Sequence, residues 1–487
     1  MIEQVLDRRY VLRELDRTLD AIHSTLASDD ARRSGGTTIA SLPHATTPAD
    51  LEAAARALAD ARAEETLTPE TGTAPAPAPA PDARRGGMPA AAPTPKPPAP
   101  EDEAAFFARS PEISLLQSAL ERFYDTQQPG AVGPVPAPPS DRRSGLRSPA
   151  PTAPSASRRL FNAFSESDPR WVGSLVAEGL RYFRGKHAFG VAPADLPIAD
   201  KARLLIVGDW GSGVPRAQTV ARQMRRVIEQ GKEAGLEQHV VHLGDVYYSG
   251  WDWEYKKRFL PYWPVYPEEA DRITSWSLNG NHDMYSGGFG YFDTLLRDTR
   301  FQCHNDTSYF RLANDHWQFL GLDTAYEENS LGLPGDGPTA PQRDWLLGHL
   351  GASSPRKTML LSHHQLISAY EKSALAVGPD LRARLDAGAV RAWLWGHEHR
   401  CVLYGAQAGV AFPRCIGHGG VPVYMVHPDT GRYDAPVSYE YRHYIPGGFG
   451  GAEHWAIFGF AVLDLDGPRM QVRYIYEDGF EHSEVID

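Results

Sequence analysis

Five short polar segments, each directly behind an apolar run, carry the residue types that could do chemistry. Together they offer carboxylates, an amide, imidazoles and a His-x-His pair, which are groups used in metal ligation and in acid–base catalysis. One segment alone would indicate little, because a lone Gly-Asp is usually a turn and a lone buried His is usually a hydrogen-bonded core residue. Five in succession are difficult to explain as turns and indicate a single site. The segments are Gly208-Asp209-Trp210-Gly211, Gly244-Asp245-Val246-Tyr247-Tyr248, Gly280-Asn281-His282-Asp283, Ser362-His363-His364 and Gly396-His397-Glu398-His399.

The apolar runs in front of these segments indicate buried strands. Continuous hydrophobicity of this kind is typical of strands in a sheet that is covered on both faces. Open α/β sheets bind ligands in the crevice beyond the carboxyl ends of their strands, so the polar segments are expected to meet there. The runs are Leu204-Leu205-Ile206-Val207, Val240-Val241-His242-Leu243, Trp276-Ser277-Leu278-Asn279, Met359-Leu360-Leu361 and Trp393-Leu394-Trp395.

The order of these motifs resembles the calcineurin-like metallophosphoesterase superfamily and, within it, the purple acid phosphatase branch. The resemblance covers the chain from about Arg203 to Asp487. Two positions indicate the branch. Many metallophosphoesterases carry Asp-x-His in the first motif, whereas Gly211 stands in place of that His here. The second motif reads Gly-Asp-x-x-Tyr, with Tyr248 where purple acid phosphatases supply a phenolate to a ferric ion.

The resemblance implies a centre of two metal ions bridged by Asp245. The ligands implied for one ion are Asp209, Asp245, Tyr248 and His399, and those for the other are Asp245, Asn281, His363 and His397. One trivalent and one divalent cation against two carboxylates and a phenolate leave a net positive charge, which suits a phosphate anion. The expected metals are iron together with iron, manganese or zinc. With two divalent ions instead, ligation by Tyr248 stays open.

The implied mechanism is attack on phosphorus by a metal-bound hydroxide, with the two ions about 3.5–4 Å apart. His282 would face the substrate and stabilise charge or protonate the leaving oxygen, or else orient a ligand from behind. Asp283 would set the tautomer of His282, although a simple turn carboxylate is as good an explanation. His364, next to the expected ligand His363, would face the substrate or support a ligand.

The predicted function is therefore metal-dependent hydrolysis of phosphate monoesters by an acid phosphatase-like enzyme. Two alternatives stay open at this stage. One is a phosphodiesterase that acts on nucleotides. The other is a scaffold or partner-recruiting protein in which the N-terminal region binds partners and the phosphoesterase domain is carried along. The sequence does not identify the physiological phosphate ester.

The N-terminal 157 residues are predicted to be a low-complexity region with isolated amphipathic helices. More than half of the prolines precede Ser157, and repeats such as Ala74-Pro75-Ala76-Pro77 favour extended, solvated conformations that cannot pack a core. Apolar residues from Ile2 to Leu26 recur at heptad-like spacing, so this helix could dock on its own catalytic domain, dimerise or bind a protein partner. Further helices are expected over Ala49–Glu65 and from Ser110-Pro111.

Residues 158–200 are interpreted as a helical lead-in and linker, with a helix from Asp168 to Phe183, and residues 201–487 as the catalytic domain. The expected fold is α/β. The resemblance adds two packed mixed sheets flanked by helices, in four layers. The aromatic segment Trp251–Pro267 fits either a wall of the substrate pocket or ordinary packing. Hairpins are expected around Ala313-Asn314-Asp315 and Asp466-Gly467-Pro468.

Composition sets further expectations. The net charge of −12 argues against non-specific nucleic-acid binding, which needs a basic surface. No run of about 20 apolar residues is present, so no membrane span is predicted. The acidic start of the chain is unlike a secretory signal, and three cysteines do not make a disulfide framework. These features predict a cytoplasmic protein, whereas most purple acid phosphatases are secreted.

Overall fold

The computed structural model describes residues 7–33, 48–67, 105–127, 176, 185–351, 355–371, 374–423, 425, 435–447 and 453–487. The chain divides into two compact units. One comprises residues 1–64 and 108–182, and the other comprises residues 65–107 and 183–487. Apart from Val176, the helix expected from Asp168 lies outside the described residues. The expected domain boundaries at residues 157 and 200 stay predictions.

Three helices lie in the N-terminal part of the chain: α1 at Arg8–Arg33, α2 at Pro48–Leu67 and α3 at Pro111–Gln127. The start of α1 is capped by Asp7, whose carboxylate accepts a hydrogen bond of 2.8 Å from the amide of Arg9. The described helix continues past Leu26, where the predicted helix 2–26 ends, whereas residues 2–6 lie outside the described residues. The Arg62 guanidinium lies 3.2 Å from the Asp16 carboxylate, so α1 and α2 are in contact rather than isolated.

Two large sheets form the centre of the second unit. The six-stranded sheet has the order β18-β17-β16-β2-β3-β4, and the eight-stranded sheet has the order β1-β5-β6-β8-β10-β12-β11-β13. The first contains β2 (Ala202–Val207), β3 (Glu237–His242), β4 (Ile273–Ser277), β16 (Gly459–Asp466), β17 (Arg469–Tyr476) and β18 (Glu481–Ile486). The second contains β1 (Ala194–Pro197), β5 (Phe310–Ala313), β6 (Trp317–Leu322), β8 (Lys357–Ser362), β10 (Ala392–Trp395), β11 (Cys401–Tyr404), β12 (Phe412–Ile416) and β13 (Val437–Glu440).

The five expected strands are all present, and they run parallel within each sheet. In the six-stranded sheet β2, β3 and β4 are parallel neighbours, and in the eight-stranded sheet β8 and β10 are parallel neighbours. Short two-stranded ladders complete the described strands, namely β7 (Ser330–Leu331) with β9 (Ala376–Val377) and β14 (Tyr444–Gly447) with β15 (Glu453–Ala456). Both expected hairpins form, one between β5 and β6 and the other between β16 and β17.

The main core lies between the two sheets. It combines side chains such as Ile206 and Trp276 from the six-stranded sheet with Phe319, Met359 and Leu394 from the eight-stranded sheet, all fully or almost fully buried. Strands with one face in this core and the other under helices are apolar on both faces. Their sequences are therefore continuous apolar runs rather than alternating ones.

Helices cover the outer faces of both sheets and complete the four layers. The helix α4 at Pro215–Glu233 begins with a proline in its first turn and buries Val220, Met224 and Ile228. Leu346 of α7 (Ala340–His349) and Leu381 of α8 (Pro379–Asp386) share a second hydrophobic cluster with the outer face of the eight-stranded sheet. This architecture confirms the predicted α/β fold. None of the helices in the described part of the chain is both long enough and apolar enough to cross a membrane.

The aromatic segment after the second motif forms helical turns, with α5 at Asp252–Glu254 leading into a π-helical turn at Tyr255–Phe259. The Phe259 and Trp263 rings stack with centroids 5.0 Å apart. Trp263 also lies edge-on to Trp210, at 5.8 Å. All three rings are buried, so their contacts favour ordinary packing over a wall of the substrate pocket. A further short helix, α6 at Asn281–Tyr285, follows β4 and carries the third motif.

Candidate metal centre

The five motifs meet where strands of both sheets end. Asp209 follows β2, Asp245 follows β3 and Asn281 follows β4, whereas His363 follows β8 and His397 follows β10. Parallel neighbours end at the same edge of a sheet, which places these residues side by side. The two sheets bring their edges together, since single ligand atoms of Asp209, Asp245 and His363 all lie within 4.8 Å of one another.

The first donor cluster consists of Asp209, Asp245, Tyr247 and His399. The Tyr247 hydroxyl lies 3.0 Å from Asp245 Oδ2, 3.0 Å from His399 Nε2 and 3.3 Å from Asp209 Oδ1. His399 Nε2 lies 3.7 Å from Asp209 Oδ1. A phenol has one hydrogen to donate and cannot serve three acceptors at once. Four buried oxygen and nitrogen atoms that converge in this way fit the donor set of one cation.

The phenolic oxygen in this cluster belongs to Tyr247, and not to Tyr248 as the motif spacing suggested. The Tyr248 ring instead lies under the Arg258 guanidinium, whose central carbon is 4.5 Å from the centroid of the ring. The centroids of the Tyr248 and Phe107 rings are 5.5 Å apart. The amide of Tyr248 donates a hydrogen bond of 2.7 Å to the Glu254 carboxylate. Spacing along a loop does not determine which of two adjacent tyrosines turns inward, and here the loop turns Tyr247 towards the carboxylates.

The second donor cluster consists of Asp245, Asn281, His363 and His397. Three of its atoms form a triangle: His363 Nε2 lies 3.0 Å from Asn281 Oδ1 and 3.1 Å from His397 Nδ1, and the latter two are 2.9 Å apart. Asp245 Oδ1 is 3.5 Å from His363 Nε2. Ligands about 2.1 Å from an ion and at right angles to each other lie about 3.0 Å apart. The triangle therefore has the spacing of three ligands of an octahedral ion.

Hydrogen bonds behind the second cluster turn its lone pairs inward. His363 Nδ1 donates to the carbonyl of Leu243 at 2.9 Å, which leaves Nε2 of the neutral ring without a hydrogen. The Asn281 amide nitrogen donates to the Tyr285 hydroxyl at 2.6 Å, so its Oδ1 faces His363. Two acceptors that face each other at 3.0 Å repel unless a cation lies between them. This acceptor pair fits a metal ion.

The backbone of the site is held in a conformation that side chains rarely adopt. Asp209, Asp245, His397 and His399 have φ angles of 55°, 76°, 69° and 55°. Such left-handed conformations are uncommon outside glycine, although Asn, Asp and His adopt them more often than other residues, and they occur at sites where the surrounding structure imposes them. Here they turn ligand side chains back towards the ends of the strands.

Glycines allow the motifs to approach each other closely. A Cβ on Gly280 would lie 2.1 Å from Asp245 Oδ1, and one on Gly396 would lie 2.7 Å from Asp209 Oδ2. Both distances are far below van der Waals contact, so any larger residue at these positions would push a carboxylate out of place. The glycines of the third and fifth motifs are thus part of the site geometry.

Electrostatics keep the shared carboxylate ionised. Burial by itself would raise the pKa of Asp245, but the neighbouring imidazoles of His363, His282 and His399 outweigh it and lower that pKa to about 2. The amide of His282 adds a hydrogen bond of 3.0 Å to Asp245 Oδ1. Asp245 is therefore an anion at neutral pH, and a carboxylate in this state is available to bind a cation.

The part of the chain that carries the five motifs matches a known family. The family described as calcineurin-like phosphoesterase matches residues 202–401, which include all five motifs. This part of the chain is thus similar to calcineurin-like phosphoesterases. No curated protein matches the sequence.

Several solved structures also match parts of this chain, at low sequence identity. Purple acid phosphatase PPD1 from yellow lupin (Lupinus luteus) is 14% identical, covers 59% of this chain and 54% of its own, and has a TM-score of 0.43. GAP50, the anchor in the inner membrane complex of Plasmodium, is 13% identical, covers 59% of this chain and 89% of its own, and has a TM-score of 0.40. A cold-active protein-tyrosine phosphatase of Shewanella is 13% identical, covers 61% and 83%, and has a TM-score of 0.27.

His282 lies beside the first donor cluster. Its Nδ1 hydrogen bonds to the carbonyl oxygen of Tyr248 at 2.6 Å, so the opposite ring nitrogen, Nε2, faces the metal side, 3.9 Å from Asp245 Oδ2. The ring packs against Tyr247 with centroids 4.5 Å apart. This position is compatible with the expected contact between His282 and a substrate.

Asp283 does not set the tautomer of His282, because the carbonyl of Tyr248 does so. The Asp283 carboxylate accepts hydrogen bonds from the amides of Gly280 (2.7 Å), Asp245 (2.8 Å) and Val246 (3.1 Å), and from the Tyr255 hydroxyl. Burial, followed by the charge of Asp245, raises the pKa of Asp283 to about 7. Through these hydrogen bonds, Asp283 connects the backbones of the second and third motifs.

His364 lies at the site, but it is not one of the two acceptors that face each other, which are His363 Nε2 and Asn281 Oδ1. One of its ring nitrogens lies within 4.8 Å of ligand nitrogens of His363 and His397. Its Nδ1 is 2.9 Å from the hydroxyl of Thr324. Glu371 also approaches the second cluster, with its carboxylate 3.7 Å from His397 Nε2.

Sequence reasoning missed the residues that orient the ligands from behind. Tyr285, Tyr255 and Thr324 carry no motif of their own, and the carbonyl of Leu243 has no sequence signature at all. A weak signal existed for Thr324, because Asp323-Thr324 follows the apolar strand β6 just as His363-His364 follows β8. The identity of the phenol was also within reach, since Tyr247 and Tyr248 are adjacent.

Proposed function

We propose that the phosphoesterase domain hydrolyses phosphate monoesters at a centre of two metal ions. The observation that carries this proposal is that Asp245 belongs to both donor clusters. Its Oδ2 contacts Tyr247 in the first, and its Oδ1 faces His363 in the second. A carboxylate with one oxygen in each of two clusters is suited to bridge two ions.

The donor sets assign a role to each ligand. Asp209, Asp245, Tyr247 and His399 would hold the first ion, and Asp245, Asn281, His363 and His397 the second. Tyr247 thereby takes the place that motif spacing gives to Tyr248. Bound there, the two ions would neutralise phosphate charge and activate water for attack on phosphorus. Iron with a second iron, manganese or zinc suits these oxygen and nitrogen donors.

The charge balance favours a dianionic substrate. Two carboxylates and one phenolate contribute three negative charges, and Asn281 contributes none. One trivalent and one divalent ion would leave the centre with two positive charges, and two divalent ions would leave it with one. A phosphate monoester carries about two negative charges at neutral pH and a diester only one, so the monoester gains more from this field.

The residues around the donor clusters contribute positioning and proton transfer. The bond from His282 Nδ1 to Tyr248 fixes its ring and leaves Nε2 as the atom that can exchange a proton with the leaving oxygen. Asp283 holds the amides of Asp245 and Gly280 in place and thereby fixes the approach of the two motifs. We assign Asp283 a positioning role and no proton transfer.

Hydrolysis of a simple aryl phosphate monoester beside the corresponding diester tests the proposal, with full-length protein of measured metal content. We expect metal-dependent turnover with a preference for the monoester. Asp245→Asn is the matched control, since it keeps the shape of the side chain while removing the bridging charge.

Each outcome has a distinct meaning. A diester preference that Asp245→Asn abolishes would replace the monoesterase by a phosphodiesterase at the same centre. Wild-type protein that binds no metal, or equal turnover in wild type and Asp245→Asn, would refute the two-metal centre.

A further inference from the structure

Two neighbouring strands of the eight-stranded sheet place a hydroxyl against an imidazole at the edge of the metal centre. The strands β6 and β8 are parallel, and Leu322 at the end of β6 pairs with Ser362 at the end of β8. Thr324 and His364 each follow two residues later. The register of the sheet therefore sets these two side chains next to each other.

Thr324 makes two contacts with His364. Its Oγ1 accepts a hydrogen bond of 3.2 Å from the backbone amide of His364 and lies 2.9 Å from the ring nitrogen Nδ1. Thr324 is fully buried and His364 is 3% exposed, so water does not compete for these contacts. The pair is buried and its geometry is well defined.

The hydrogens of this pair can be counted. The hydroxyl of Thr324 has one hydrogen to donate, and a buried hydroxyl donor is expected to find an acceptor. Its only acceptor among the described residues is His364 Nδ1. If Nδ1 accepts that hydrogen, the neutral ring carries its own hydrogen on Nε2.

The backbone around Thr324 is firmly held. One oxygen of Asp323 accepts hydrogen bonds from the amides of Ala325 (3.1 Å) and Tyr326 (2.8 Å), and the other accepts from the Ser308 hydroxyl (2.5 Å). The carbonyl of Thr324 accepts from the amide of Asn329 at 3.0 Å. The hydroxyl is thus placed by a rigid turn and needs no rearrangement to hold the ring.

The Thr324 hydroxyl contacts His364 at Nδ1, and one ring nitrogen of His364 lies within 4.8 Å of ring nitrogens of His363 and His397. The ring lies beside the second donor cluster, with its centroid 4.8 Å from that of His397. A nitrogen that carries hydrogen cannot ligate a metal, but it can donate a hydrogen bond to an anion.

We propose that Thr324 fixes His364 as the Nε2–H tautomer, so that His364 donates a hydrogen bond to a phosphate oxygen of the substrate and does not ligate the second ion. The proposal rests on the phosphoesterase function proposed above and adds a specific phosphate contact to it. Thr324 is then a positioning residue, whereas His364 touches the substrate. His364 supplies this hydrogen bond without adding a ligand to the metal.

Nitrogen-15 NMR of full-length protein labelled at histidine tests the tautomer directly, with the His364 signals identified by their loss in His364→Ala. We expect Nδ1 without hydrogen and Nε2 with hydrogen in the wild type. Thr324→Ser keeps the hydroxyl and should preserve this pattern, whereas the isosteric Thr324→Val should shift the ring towards the other tautomer. An Nε2 without hydrogen in the wild type, or an unchanged spectrum in Thr324→Val, overturns the proposal.

Affinity for inorganic phosphate, measured on the metal-loaded full chain, tests the contact itself. We expect His364→Ala to weaken phosphate binding about tenfold or more, the effect of losing a hydrogen bond to a charged group, with unchanged metal content. Thr324→Val should weaken it less, and Thr324→Ser should bind like the wild type. Loss of one metal ion from His364→Ala would show that His364 is a ligand and overturn the proposal. Wild-type protein that binds neither metal nor phosphate would instead refute the phosphoesterase centre, and the NMR result would still decide the tautomer.

Discussion

Replacing Tyr247 by Phe is expected to weaken metal binding at the first donor cluster, whereas the same change at Tyr248 is not. The Tyr247 hydroxyl lies at 3.0–3.3 Å from three donor atoms of Asp209, Asp245 and His399. The Tyr248 side chain contacts the Arg258 guanidinium and the Phe107 ring, both through its aromatic face. The two variants therefore distinguish Tyr247, the ligand that the geometry of the site indicates, from Tyr248, the ligand that the motif spacing predicts.

The magnitude follows from the contacts that Tyr247→Phe removes. Changes to groups that only support a ligand cost 10–100-fold in metal affinity, so loss of a ligand oxygen should cost at least about that much at one site. Tyr248→Phe keeps the ring and its contacts, and its metal affinity should stay within about threefold of the wild type. Tyr247→Phe also removes buried hydrogen bonds and should lower the free energy of unfolding by roughly 1 kcal/mol, which thermal unfolding would detect.

Metal content and competition against a chelator provide the assay, on full-length protein that unfolds within a few degrees of the wild type. One ion should be lost readily from Tyr247→Phe and retained by Tyr248→Phe, with turnover of the aryl monoester following the metal content. The reverse pattern, with Tyr248→Phe losing the ion, would show that Tyr248 ligates it and would refute the assignment to Tyr247. Equal retention in both variants would mean that neither phenol ligates.

Three further predictions concern the supporting structure. Asp283→Asn places an amide donor against three backbone amide donors, so it should lower the free energy of unfolding by roughly 2–4 kcal/mol and also weaken metal binding. Denaturant unfolding and chelator competition test these two effects, and a variant with unchanged stability and metal affinity would refute the structural role of Asp283. Gly396→Ala should displace the Asp209 carboxylate and lower metal occupancy about tenfold or more by metal analysis, whereas Gly348→Ala, whose Cβ would meet open space, serves as control and should bind metal normally. Burial lowers the pKa of His304 from 6.5 to about 4. The neutral ring therefore contributes stability above pH 6.5, and roughly 3 kcal/mol of the free energy of unfolding is lost as the pH falls towards 4. Denaturant unfolding across this range should show a flatter pH dependence in His304→Gln than in the wild type, and equal slopes would contradict the assignment.

The reason for the His304 effect is its pair of buried hydrogen bonds. Nε2 accepts from the amide of Ser277 at 2.8 Å, and Nδ1 hydrogen bonds to the carbonyl of Thr307 at 2.9 Å. Protonation of Nε2 would turn an acceptor into a donor that faces another donor. The ring must therefore stay neutral for the chain after β4 to keep its place.

Local sequence was sufficient to predict the elements that carry the site. The apolar runs before Asp209, Asp245 and His363 correspond to β2, β3 and β8, because a strand buried on both faces needs an uninterrupted apolar sequence. Helix signals were equally direct, as at Ser110-Pro111, where α3 begins. The family resemblance placed Asn281 and His397 among the expected ligands, and in the structure Asn281 Oδ1 and His397 Nδ1 lie 2.9 Å apart.

Side-chain direction and hydrogen-bond partners, by contrast, depended on the tertiary structure. Tyr247 and Tyr248 have the same chemistry and adjacent positions, and only the path of the loop between β3 and α5 turns one towards the carboxylates. Asp283 was expected to orient His282, yet it holds backbone amides of two motifs that are far apart in sequence. Thr324 meets His364 only because β6 and β8 pair in one register. Local sequence encodes which residues end a strand, whereas the partner of a side chain is set by elements that the chain reaches tens of residues later.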